Sequence, residues 1–165
     1  IRRSLFLQVL VVLQGILAIQ VGEGEHGYGP ATPKIRLMRF LFFDALSLVL
    51  VLPLLLVHKA ETGASWPAFL LALTFLALHN LVWICIGHGL ARWIRFEALR
   101  FVLKYGGLLA VLFVPVFLAC PISALTILPA LWDGEALGKV GLLLYLGISG
   151  VSVLWSMRPG KSGRG

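Results

Sequence analysis

Five apolar runs divide the chain: Leu5 to Val21, Phe40 to Val57, Trp66 to Gly87, Tyr105 to Leu131 and Lys139 to Trp155. An α-helix rises about 1.5 Å per residue, so about 20 residues cover the hydrocarbon core of a bilayer. The second, third and fifth runs suit that length. With a mean hydropathy of +0.97 and 13% charged residues over 165 positions, the chain has too little polar surface to clothe a water-soluble core. The expected fold is an all-α polytopic transmembrane helix bundle, one integral membrane domain over residues 1–165.

Two runs depart from the simple pattern. The fourth is long and carries Pro115, Pro121 and Pro129, so it is expected to kink, tilt or break. The first spans about 17 residues with Gln8, Gln14 and Gln20 six apart, which distributes amides around a helix. It either crosses, giving five spans, or lies in the interface, giving four. A secretory-signal reading with Arg2 and Arg3 as its basic end lacks a small-x-small cleavage site near Val21.

Lys and Arg are retained on the cytoplasmic side of a membrane. Lys34, Arg36, Arg39, Arg92, Arg95, Arg100, Lys104, Arg158, Lys161 and Arg164 fall in alternate linkers and the polar tail 156–165, against Lys59 and Lys139 in the others. The carboxyl terminus is therefore expected in the cytoplasm, in the inner (plasma) membrane of a bacterium. Arg2 and Arg3 fit if a span precedes Ile1 or if the first run does not cross. The net charge of +7 sits at the ends of apolar runs, so the bilayer and its anionic headgroups are the expected partners and nucleic acid is not. Cys85 and Cys120 lie inside apolar segments and carry no disulfide signature.

In lipid, small and polar residues mark helix contacts. Gly138, Gly141, Tyr145, Ser149, Ser152 and Ser156 form one stripe at steps of three and four, expected to pack against the bundle. Ala68, Ala72, Phe75 and His79 form a second, and Ala119, Ser123, Thr126 and Ala130 a third. The segment His88 to Lys104, basic with aromatics throughout, suits a cytoplasmic surface helix. Arg92, Trp93, Arg95 and Arg100 are its candidate contacts with lipid or a partner.

His79 and His88 are nine residues apart, about 900° and about 13 Å along a helix, so they point to opposite faces and share no metal. His26 and His58 lie in or beside polar linkers, which disfavours a haem held by two histidines, and no cofactor is assigned. His79 lies deep in its run beside Asn80, and Asp44 is the one acidic residue inside a run. Ionisable groups at such depth face the bundle interior and have a partner, so Asp44, His79 and Asn80 are the candidate ion or proton site. The alternative leaves Asp44 with Arg36 or Arg39 and gives His79 a structural hydrogen bond.

Other motifs carry less. "GEGEHG", Gly22 to Gly27, matches G-x-G-x-x-G but precedes Tyr28-Gly-Pro, so it reads as a solvated turn rather than a nucleotide site, with Glu23, Glu25 and His26 poorly arranged for a metal. "PGKS" lacks the upstream glycine of a phosphate-binding loop. "GISG", Gly147 to Gly150, resembles the G-x-S-G of rhomboid intramembrane proteases over four residues, yet every histidine here precedes it, and no catalytic residue or metal ligand is assigned. The external loops "HKAETGAS" and "WDGEALG" are too short for a catalytic domain. The first functional expectation is a non-catalytic subunit or accessory protein of a larger membrane complex, joined to other membrane subunits or to itself. A small transporter or channel component is the alternative, and an intramembrane enzyme or haem-binding redox protein the next.

Overall fold

A computed structural model describes residues 2–28, 31–117 and 123–158. Helices run in the order α1 (Arg2–Gly27), α2 (Pro33–Thr62), α3 (Trp66–Trp93), α4 (Glu97–Phe101), a π-helical turn (Val102–Gly106), α5 (Gly107–Phe117), α6 (Ala124–Trp132) and α7 (Ala136–Ser156). No strand occurs among the described residues. Five helical stretches are long and apolar enough to cross a membrane: Ser4–Glu25, Pro33–Thr62, Trp66–Trp93, Glu97–Phe117 and Ala136–Ser156.

Local chemistry sets the boundaries. Thr32 caps α2, its hydroxyl accepting from the Ile35 N–H, with Pro33 at the first helical position. Gly63, at φ 69°, closes α2 in the left-handed conformation, and Ser65 caps α3 just ahead of Pro67. Ser123 starts α6 by accepting from the Leu125 N–H at 3.2 Å.

The first run is a full helix at the centre of the bundle. Six residues correspond to about 600° of helix, so its three glutamines point a third of a turn apart. Gln8 donates to the Leu125 carbonyl of α6 at 3.3 Å. Gln14 accepts from Ser47 of α2 and Asn80 of α3, and Gln20 donates to the Tyr105 hydroxyl at 3.3 Å. Its glycines set the approach to α3. A Cβ on Gly22 would lie 2.0 Å from the Ile84 carbonyl oxygen, and one on Gly87 would lie 2.3 Å from the Ile19 carbonyl oxygen. The two backbones therefore touch, each through a glycine on the facing helix.

The run Tyr105 to Leu131 is not one crossing. Its first part belongs to the span Glu97–Phe117 and its last part is α6, a separate helix begun by the Ser123 cap. Ser123 donates to the Leu112 carbonyl at 2.5 Å, while Trp132 donates from its indole N–H to the Thr62 hydroxyl at 3.0 Å. The helix thus runs from beside α5 to the end of the bundle where α2 finishes. Pro121 lies outside the described residues.

Two further expectations change. Gly22 to Gly27 is not a solvated turn but the last stretch of α1, because Gly22 packs on α3 and Glu23 and Glu25 are held by bases of other elements. His88 to Lys104 is not one surface helix: α3 continues to Trp93, the helix breaks at residues 94–96, and α4 starts at Glu97. His88 is not at the rim, since it is buried with its ring edge-on to Phe40 at 5.5 Å.

One end of the bundle collects the basic residues. Arg39 pairs with Glu25 at 2.9 Å, while Arg100, at 2.9 Å, and Lys104 both pair with Glu23. Arg36 donates to the Ser156 carbonyl and Arg92 to the Arg158 carbonyl, which ties α2 and α3 to the end of α7. At the other end His58 packs between Phe6 and Trp132.

The α1–α3 contact yields a paired test. Gly22→Val inserts carbon into a carbonyl and should destabilise the chain by at least about 2 kcal/mol. Gly24→Ala, where a Cβ would meet nothing within 4 Å, should be neutral or stabilise by about 0.5–1 kcal/mol. Thermal unfolding in detergent, followed by circular dichroism, compares them; equal midpoints would contradict the contact.

Candidate functional site

Polar side chains from three helices converge halfway along the bundle. Gln14, Ser47 and Asn80 sit near the middles of α1, α2 and α3, and Asp44 lies three residues before Ser47 on the same face of α2. Ser47 donates to the Gln14 side-chain oxygen at 2.5 Å, and the Asn80 amide donates to that same oxygen at 2.9 Å and to the Ser47 hydroxyl at 3.4 Å. Asn80 is also the polar neighbour of the Asp44 carboxyl. Asp44 is 7% exposed and Asn80 1%, so these groups have left solvent behind. The Asp44 Oδ1 and Asn80 Oδ1 atoms have no hydrogen-bond partner, and Arg39, Arg100 and Lys104 pair with Glu25 and Glu23 rather than with Asp44.

Asp44 and His79 do not hydrogen-bond. Consecutive residues on a helix point about 100° apart, so Asn80 faces the seam with Gln14 and Ser47 while His79 turns away from it. The His79 ring is fully buried, stacked on Phe75 at 6.0 Å and near Tyr145 at 5.8 Å and Trp83 at 6.2 Å. On its α1 side it meets Val11 and Gly15, where a Cβ would lie 3.3 Å from Nε2. Neither ring nitrogen forms a hydrogen bond of good geometry. Arg36 and Arg39 do not reach Asp44 either; they are engaged with Ser156 and Glu25.

The rim candidates divide. Trp93 is exposed, 6.1 Å from Trp155, and Arg95 is exposed, whereas Arg92 holds the Arg158 carbonyl and Arg100 holds Glu23. The α7 stripe lies against two neighbours. Cβ atoms on Gly138 and Gly141 would strike Leu131 and Ile127 of α6, and Tyr145 packs on Phe75 of α3 at 4.8 Å. Ser149 and Ser156 are buried and donate to their own helix, to the Leu146 and Val153 carbonyls, while Ser152 is half-buried. In the other two stripes Ala68, Ala72, Ser123 and Ala130 are buried, Thr126 is half-buried, and Ala119 lies outside the described residues.

Sequence spacing passed over Gln14 and Ser47, the two residues that complete the polar cluster. Their signal was available: Ser47 is one helical turn from Asp44, and Gln14 is the central amide of the first run.

No family model, curated protein or solved structure matches the chain.

If the cluster acts as a unit, its deletions are not additive. Asn80→Ala leaves the Gln14 oxygen short of a donor and should destabilise by about 1–3 kcal/mol. The double variant Ser47→Ala, Asn80→Ala, which strips the Gln14 oxygen of both donors, should depart from the sum of the singles by at least about 0.5 kcal/mol. A double-mutant cycle on thermal or denaturant unfolding measures the coupling, and strict additivity would count against it.

Proposed function

We propose that the chain is a non-catalytic, membrane-embedded subunit of a larger membrane complex. The observation that carries this reading is the thin attachment of the span Glu97–Phe117. In α5 only Leu108 and Leu112 are buried, and between α5 and α7 an open cleft of about 430 Å³ is lined by Ala110, Val111, Val114, Pro115, Tyr145 and Ile148. Its apolar lining suits a helix of a partner subunit. Further along α7, a Cβ added at Gly147 or Gly150 would meet nothing within 4 Å. Gln14, Ser47 and the Asn80 amide nitrogen serve contacts within the chain, and the loops between the described helices are short.

The bundle is proposed to lie in the inner (plasma) membrane of a bacterium. The end holding Arg36, Arg39, Arg92, Arg95 and Arg100, with the carboxyl terminus, is proposed to face the cytoplasm and its anionic headgroups. The charge bias supports this orientation. Exposed Leu50, Leu143 and Val151 suit the acyl-chain region.

Extraction from native membranes in a mild detergent should give a species larger than the monomer on native electrophoresis, and Val114→Trp in the cleft should release the monomer. A wild-type chain that runs alone and stays folded would overturn the proposal. For orientation, a cysteine at Arg95 should be labelled by an impermeant maleimide only after the membrane is opened, and one at Lys139 from the outside; the reverse pattern would invert the topology.

A second reading, a small transporter or channel component, is favoured by the buried Asp44 carboxyl, whose Oδ1 has no hydrogen-bond partner. It predicts that Asp44→Asn abolishes proton or cation flux in liposomes at unchanged expression; undiminished flux would dismiss it.

A further inference from the structure

We propose that the cleft between α5 and α7 receives a partner helix through hydrogen bonds inside the membrane, and that this helix presents Asn, Gln, Ser or Thr to Tyr145 and a second such residue, seven positions along, to Ser152. The proposal rests on the subunit reading above and adds the chemistry that the partner carries. Tyr145 lines the cleft and is 6% exposed, its ring against Phe75 at 4.8 Å and near His79 at 5.8 Å. Its hydroxyl has no hydrogen-bond partner among the described residues.

Depth narrows what that hydroxyl can meet. Tyr145 is the tenth of the 21 residues of α7, about 13 Å from the helix start. Acyl chains at that depth offer no acceptor, and a polar group left without one is unfavourable. A polar side chain on a neighbouring helix supplies it. The opposite wall adds a second group: Pro115 lies inside α5 and has no N–H, so the Val111 carbonyl lacks the donor that a helix places one turn on. Val111, Pro115 and Tyr145 all line the cleft. An amide or hydroxyl side chain both donates and accepts, so it satisfies Val111 and Tyr145 together; a charged one would bring an ion into apolar surroundings.

The spacing comes from α7. Ser149 and Ser156 donate to carbonyls of their own helix, whereas the Ser152 hydroxyl has no partner among the described residues. Ser152 is half-buried, and seven residues bring it to within about 20° of the Tyr145 direction and about 10 Å along the helix. Helices that cross at about 20° keep facing positions every seven residues. A partner lying along α7 therefore meets Tyr145 and Ser152 from positions one heptad apart.

The probe is a synthetic Leu-rich transmembrane peptide without tryptophan, with a dansyl group at one end. One form has Asn at its centre and seven positions on, a second has Asn at its centre and five positions on, and a third has Leu throughout. Association with the purified full chain in phosphatidylcholine vesicles is read as energy transfer from the tryptophans of the chain. The first form should associate at least about threefold more tightly than the third, and the second should fall between them. Tyr145→Phe removes one oxygen and keeps the ring, and in the double variant Tyr145→Phe, Ser152→Ala all three peptides should associate alike. Thr74→Val, which removes an exposed hydroxyl on α3, should leave the preference intact.

Equal association of the three peptides with the wild-type chain would overturn the proposal. So would a preference that persists in the double variant, or the failure of every peptide to associate. Each of these results leaves native electrophoresis of the wild type to judge the subunit reading by itself.

Discussion

Backbone contact between α1 and α3 positions the rest of the bundle. Gly22 and Gly87 present no side chain to the facing helix, so the carbonyls of Ile84 and Ile19 come to within the distance a methyl group would occupy. In a bilayer, apolar side chains gain little by leaving lipid for protein, and close backbone packing with interhelical hydrogen bonds has to hold helices together. Once α1 lies against α3 at this distance, Gln14 reaches Asn80, and the same amide oxygen takes the Ser47 hydroxyl of α2. Gln8 and Gln20 extend from the other sides of α1 to α6 and to the turn before α5. One helix thereby joins four others.

The same geometry separates the two polar residues that sequence alone would pair. Asp44 lies on the α2 face that carries Ser47, and its neighbour is Asn80; His79 turns toward Phe75, Trp83 and Tyr145. At the basic end, acids and bases mostly serve the chain itself. Glu23 collects Arg100 and Lys104 across the start of the fourth span, and Glu25 takes Arg39. What remains for outside contacts is Arg95, Trp93, the apolar outer faces and the α5–α7 cleft.

The five apolar helices were legible in the run lengths, because the apolar length a bilayer requires is a strong signal. Asp44, His79 and Asn80 were legible as polar residues inside apolar runs, but their partners were not, since these depend on the rotation of each helix about its axis. The glutamines of α1 read as marks against a crossing helix; their spacing of six, which points each toward a different neighbour, becomes meaningful only when neighbours surround α1. The division of the fourth run needed the Ser123 cap, which composition hides among apolar residues. Gly22 to Gly27 looked like a loop because glycine disfavours helices, whereas Gly22 is required by the approach of α3 and the acidic residues by bases distant in sequence.

The most direct measurement of the central contact is a nuclear Overhauser experiment on the chain in micelles or nanodiscs, with glycine labelled selectively. The α-protons of Gly87 should show cross-peaks to the α-proton of Ile19, and those of Gly22 to the amide proton of His88. Their absence, with α1 amides exchanging as fast as those of an interfacial helix, would contradict a bundle built around α1.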